Sequence, residues 1–339
     1  MEEFYEVEPT LENYWRSIIL FGRNVASYKF ALAKALYDLK ASPNDLITLE
    51  ELAKAFVKHL LEHLEHSPKQ ITSQSSRFLK ACQQYSQNEI SYDRLLDQTV
   101  KLGFQNVIDA FHNVHSKEIS KRFFIDERNT SKGIRITDNL YQLAEMNKFS
   151  DLNLETESRW RLVETGWKLG ISRQLINVSY DDETQELFIE DNDRRINITS
   201  SRESLNGYQK GRCFYCYDDI SIDSNDENLA DIDHFFPWVL KDIIPNINGV
   251  WNLVLACKSC NRGEFGKFDR LPSLNLLERL DKRNEYLIGS HLPLRETLLQ
   301  QTGKNAKKRH NFLQSQYNTG KINIIHTWEP LTIRGIITF

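Results

Sequence analysis

Cys213-Phe214-Tyr215-Cys216 and Cys257-Lys258-Ser259-Cys260-Asn261-Arg262-Gly263 bracket an inner run, Asp231-Ile232-Asp233-His234-Phe235-Phe236-Pro237. Each Cys pair leaves two residues between its thiols. That gap lets both sulfurs of one turn point at a single tetrahedral ion, so two such pairs make a strong zinc pattern. Cys216 and Cys257 stand 41 positions apart, longer than the spacing of ribbons and fingers. The loop between them must therefore house something more, and the acidic run ending in His234 is the candidate.

Asp233 and His234 are adjacent, so both cannot serve the zinc without contorting the chain. A carboxylate suits a hard divalent cation, and a neutral imidazole can take a proton from water. Pro237 is expected to end the strand. Asn252 precedes the second Cys pair in Trp251-Asn252-Leu253-Val254-Leu255. Asn261 follows that pair directly, at the expected start of a helix. Its amide oxygen is a second hard ligand, and Arg262 and Lys267 would face a phosphate.

The pattern C-x-x-C, D-x-D-H-x-x-P, N-L-V-L, C-x-x-C-N-R-G resembles the HNH nuclease domain with its ββα-metal fold. The resemblance covers residues 200–270, with Asn in place of the third-letter His. It implies zinc on Cys213, Cys216, Cys257 and Cys260, and His234 as general base. It implies Asp233 and Asn261 as ligands of one catalytic Mg²⁺ or Mn²⁺, with Asn252 bracing the loop. The implied activity is an HNH-type endonuclease hydrolysing DNA phosphodiester bonds. Large extra domains on such proteins suggest an effector of a bacterial defence or restriction-type system, by analogy. Two alternatives stay open: a non-catalytic zinc-stapled nucleic-acid-binding module, and an RNA-directed nuclease.

Each residue also has a plainer reading. His234 can be a core histidine held by Asp231, and Asp233 can simply orient His234. Asp231 can be a secondary metal contact. Asn261 suits a helix N-cap and Asn252 an ordinary turn.

The chain has 339 residues, 40% hydrophobic and 27% charged, which fits two or three globular domains. A net charge of −4 does not advertise a nucleic-acid binder, but the charge is segregated. Cys257 to His310 holds 12 Lys and Arg against 6 Asp and Glu, while Asp218 to Asp233 holds seven acids and no Lys or Arg. Four of the five cysteines form the two pairs, which suits a reducing compartment. No apolar run reaches membrane-spanning length, and Met1-Glu2-Glu3 does not open a signal peptide. A cytoplasmic protein with DNA as partner and no membrane contact is expected.

The fold class expected is α+β. Residues 1–125 read as an all-α domain and a possible partner or sensor module. Its first helix spans about 10–40, with Trp15, Ile18, Ile19, Val25, Leu32 and Leu36 inward. Arg23, Asn24, Ser27, Tyr28 and Lys29 form a polar cluster on that element. Thr48-Leu49-Glu50-Glu51 is a capping box. His59, His63 and His66 read as a solvated face, and Cys82 as a buried small hydrophobe. A helix over 92–114 ends in His112 and His115, where a cation suits the helix dipole. Residues 126–199 read as linker, helices and a hairpin, with Asp126 to Gly133 as a loop and Arg194 to Ile198 as a further strand. Ser200-Ser201-Arg202-Glu203 is a second capping box, opening the 200–270 domain. Residues 271–339 read as a basic helical and β extension. Arg279, Lys282 and Arg283, then Lys304, Lys307, Lys308 and Arg309, supply its charge. Ile322 to Ile325 and Leu331 to Ile337 read as strands.

Overall fold

The computed structural model describes residues 8–22, 25–72, 76–115, 117–146, 148–168, 178–191, 194–290 and 294–335, with the backbone alone for 168, 189–191 and 194–198. Arg23 and Asn24, residues 175–177 of the first hairpin run and residues 336–339 of the tail lie outside that set. The protein is α+β, and it divides into two compact units, Met1–Trp160 and Arg161–Phe339.

In the first unit, the expected long helix is two helices, Leu11–Phe21 and Tyr28–Asp38. Val25 lies in the break and is exposed rather than inward. The capping box forms as expected. The Glu51 N–H donates to Thr48 Oγ1 at 3.2 Å, and the Thr48 N–H to Glu51 Oε2 at 2.9 Å, starting the helix Leu49–His66. Leu52, Phe56 and Leu60 of that helix are fully buried, as are Phe30 and Leu36 of the helix before it.

This unit is not all-α. Leu46–Thr48, Phe124–Glu127 and Gly133–Ile136 form an antiparallel three-stranded sheet with the last in the middle. The polar stretch 126–133 is thus the turn of a hairpin, and the unit runs on to Trp160 instead of stopping near 125.

The histidines also depart from expectation. His59 and His63 are buried; only His66 faces solvent. The His63 ring stacks on Trp160 with centroids 3.5 Å apart, and its Nε2 lies 3.3 Å from Glu157. Lys34 Nζ reaches the same carboxylate at 2.7 Å. Burial pushes the Glu157 pKa up, but His63 and Lys34 outweigh it and hold the carboxyl below its usual range. Arg16 and Glu155 form a buried two-pronged pair, both contacts 2.9 Å. His112 is not a helix-end cation. It is buried, and its Nε2 accepts the Phe123 N–H at 3.0 Å. Burial lowers its pKa to about 3, with Arg122 and Lys29 pushing the same way.

The second unit opens with the antiparallel sheet Ser179–Asp181, Glu186–Asp191 and Arg194–Ser200, as the turn chemistry predicted. Asp181 Oδ1 accepts the N–H groups of Glu183 and Thr184 at 2.7 and 3.1 Å, closing the turn. The helix Ser201–Gln209 follows, but Ser200 makes no side-chain cap, so the second capping box is not formed. Lys210 and Gly211 at φ 58° and 69° then turn the chain into the first Cys pair.

Helices Leu274–Gly289, Leu294–Thr302 and Ala306–Asn323 complete the unit. Ile322 and Asn323 end a helix instead of beginning a strand. The strand is Thr327–Trp328, parallel to Leu271–Pro272. Three arginines expected as surface charge are engaged by the protein itself. Arg283 is fully buried and donates to the Trp251 carbonyl, and burial lowers its pKa to about 9. Arg309 is buried in a two-pronged pair with Glu285. Arg279 donates to the carbonyls of Phe214 and Tyr215 at 2.7 and 2.5 Å and lies over the Tyr217 ring. Among the described residues, no helix is long and apolar enough to cross a membrane.

Candidate metal centre and adjoining acidic strand

The four cysteines of the two pairs converge. Their sulfurs all lie within 4.8 Å of one another, and Cys216 Sγ is 3.7 Å from Cys257 Sγ. Four thiolates about 2.3 Å from a tetrahedral zinc stand about 3.8 Å apart, so the set fits that ion. Hydrogen bonds already point at the sulfurs. The Cys257 N–H reaches Cys213 Sγ at 3.3 Å, and Ser259 Oγ lies 3.1 Å from Cys257 Sγ. Burial pushes the Cys213 thiol up, while its neighbour Cys213 draws Cys257 down.

The knuckle is fixed to a small sheet. Asp231–His234 pairs antiparallel with Leu253–Ala256, His234 opposite Leu253 and Asp231 opposite Ala256. The short helix Lys258–Arg262 follows directly. Two paired strands and a short helix thus follow one another beside the sulfur cluster. Gln209 completes the outer edge: its Oε1 accepts the Leu255 N–H at 2.7 Å and its Nε2 donates to the Leu255 carbonyl at 2.8 Å. The Phe214 N–H reaches that same carbonyl at 2.9 Å.

Asp233 is buried with both oxygens engaged. Tyr215 donates its hydroxyl to Oδ2 at 2.6 Å, and Lys267 Nζ lies 3.2 Å from Oδ1. Burial raises the Asp233 pKa, and Lys267 and Tyr215 oppose that rise. Lys267 is fully buried, so it is not presented to a phosphate as the sequence reading expected. Its charge is spent inside the protein.

Asn261 does not reach Asp233 by a hydrogen bond. Its Nδ2 donates to Asp231 Oδ2 at 3.1 Å. Arg262 grips the same carboxylate, Nε to Oδ2 at 2.8 Å and Nη2 to Oδ1 at 3.2 Å, with its side chain otherwise exposed. Side chains alternate along a strand, so Asp231 and Asp233 share one face and His234 takes the other. The His234 Nε2 meets Asn248 Oδ1 at 2.7 Å, and its ring packs against Tyr180 and Trp238. Burial lowers its pKa; Asn248, Asp233 and Asp182 push the other way.

Asn252 ties the loop that follows the strand. Its Oδ1 accepts the Phe236 N–H at 2.8 Å, and its Nδ2 donates to the carbonyls of Phe236 and Ile247 at 3.1 and 2.9 Å. Asp231, Asp233, His234, Asn252 and Asn261 are legible in the sequence, whereas Tyr215, Gln209 and Asn248 emerge only from the structure. Only Tyr215 carried a signal: it sits inside the first Cys pair.

The donor chemistry near the strand suits a hard cation: two carboxylates on one face with an amide beside them. Lys267 and Arg262 are the charges now balancing those carboxylates. No family model matches the chain, and no curated protein and no solved structure matches it.

Proposed function

We propose that the second unit is a divalent-metal-dependent phosphodiesterase acting on nucleic acid, DNA in the first instance, of the HNH kind. The observation that carries this reading is the join of strand to helix. The Asn261 amide lies 3.1 Å from Asp231, two positions from Asp233, on a ββα frame whose ends meet at four sulfurs. A zinc-stapled binding module needs no such acid–amide pair.

His234, although it takes the other face of the strand from Asp233, would serve as proton acceptor for the attacking water. Its Nε2 is held by Asn248, so the other ring nitrogen is the one that takes the proton. Asp233 and Asn261 would hold the divalent ion once released from Lys267 and Asp231, and Arg262 would contact the substrate backbone once free of Asp231. The bound ion would polarise a phosphoryl oxygen and offset charge on the leaving oxygen.

Purified, zinc-loaded protein is to be incubated with supercoiled, linear and single-stranded DNA and with RNA, under Mg²⁺, Mn²⁺ or EDTA. Metal-dependent cleavage abolished by His234→Ala supports the reading; cleavage retained by a folded His234→Ala protein removes His234 from the role. The binding-module reading draws support from Lys267 on Asp233. Retention of DNA with no cleavage under any ion would favour it.

A further inference from the structure

The place of Lys267 runs against a simple metal site. The lysine is fully buried, and its ammonium lies 3.2 Å from Asp233 Oδ1 and 3.0 Å from the Phe268 carbonyl. Tyr215 takes the other Asp233 oxygen. The charge of that carboxylate is thus balanced before any ion arrives.

The turn that carries the lysine is also tied to the helix that holds Cys260 and Asn261. The Lys267 N–H donates to the Cys260 carbonyl at 2.6 Å, and the Phe268 N–H to the Asn261 carbonyl at 3.1 Å. Gly266, just before it, has no room for a side chain: a Cβ there would meet Gly263 N at 2.8 Å and Asn261 O at 2.9 Å. The turn therefore delivers the ammonium to one place.

We propose that Lys267 is an internal counter-ion competing with the divalent cation for Asp233, so that the site takes up metal only by releasing this lysine. The proposal rests on the phosphodiesterase reading above. An ammonium and a divalent ion on one buried carboxylate repel each other strongly, because little water screens them. The long lysine stem lets the ammonium leave without unfolding the turn. Metal uptake then becomes a regulated step: whatever draws the lysine away opens the site.

Mn²⁺ binding to the zinc-loaded full chain, followed by the loss of the free-ion electron paramagnetic resonance signal, tests this without any activity assay. The variants are Lys267→Met, Lys267→Gln, Asp233→Asn and Asp233→Asn with Lys267→Gln. Lys267→Gln keeps a donor for Asp233 and guards against a Lys267→Met protein that does not fold. Either neutral variant should bind Mn²⁺ at least about tenfold more tightly than wild type. Asp233→Asn should abolish binding with or without Lys267, which excludes a general charge effect. A folded Lys267→Gln protein binding Mn²⁺ no more tightly than wild type, while Asp233→Asn still abolishes binding, overturns the counter-ion alone. Absence of Mn²⁺ binding in every form overturns both the counter-ion and the divalent-metal reading.

Discussion

Tyr215 donates its hydroxyl to Asp233 across 2.6 Å, and both groups are buried. One residue lies between the zinc-type cysteines and the other on the acidic strand. The hydrogen bond makes the knuckle and the strand a single construction, so the position of a carboxylate depends on the folding of a sulfur cluster.

Tyr215→Phe should therefore destabilise the second unit without emptying the knuckle. A hydrogen bond to a charged group is worth about 1.5–3 kcal/mol. Chemical denaturation should show a loss in that range, with the zinc content unchanged. An unaltered midpoint would mean that the hydroxyl contributes nothing to the fold.

Loss of the metal should be far more severe. Zinc binding to four-ligand sites is worth on the order of 10–16 kcal/mol near neutral pH. That matches or exceeds the whole stability of a typical domain, about 5–15 kcal/mol. Cys260→Ala, or a strong chelator, should unfold the second unit and leave the helix signal and cooperative melt of the first. Metal analysis of the wild type should give one zinc per chain.

Asn252→Ala should cost about 3 kcal/mol, because it strands the Phe236 N–H and two carbonyls inside the loop. Asn252→Asp should restore only the bond from the Phe236 N–H. Urea melts of the three proteins should rank wild type, then Asp, then Ala.

Acid should weaken the first unit through His112. Its pKa is about 3 in the fold against 6.5 ordinarily. Between those values the unfolded chain binds a proton that the folded chain refuses, so stability falls as pH drops through that window. The slope is about 1.4 kcal/mol per pH unit, or about 2 kcal/mol between pH 6.5 and 5. His112→Gln keeps an acceptor for the Phe123 N–H and should flatten that part of the profile, as read from urea midpoints at pH 7 and 5.

The zinc-type centre was legible because two-residue Cys spacing is a local property of a turn. The Thr48 capping box and the hairpin about Asp181 were legible for the same reason. What the sequence hid was the choice of partner. Nothing in the order of residues says that Lys267 spends its charge on Asp233, or that Asn261 turns to Asp231. Helical periodicity placed His59 and His63 on one side of a helix, but not that Trp160 and Glu157, far along the chain, would cover that side. Basic clusters read as surface for the same reason: Arg279, Arg283 and Arg309 are matched by carbonyls and a carboxylate that only folding brings near. The all-α reading failed where short strands lacked alternation long enough to see, as at Leu46–Thr48.

The segment after the last long helix returns to the first Cys pair. Thr327–Trp328 lies along Leu271–Pro272, and the Arg334 N–H donates to the Cys216 carbonyl at 2.9 Å. A ribosome adding roughly 5–20 residues per second needs several more seconds after Cys260 to supply that donor. All four sulfurs are thus made well before the backbone that finishes their enclosure. Until translation reaches that tail, the sulfur cluster would lack this part of its cover.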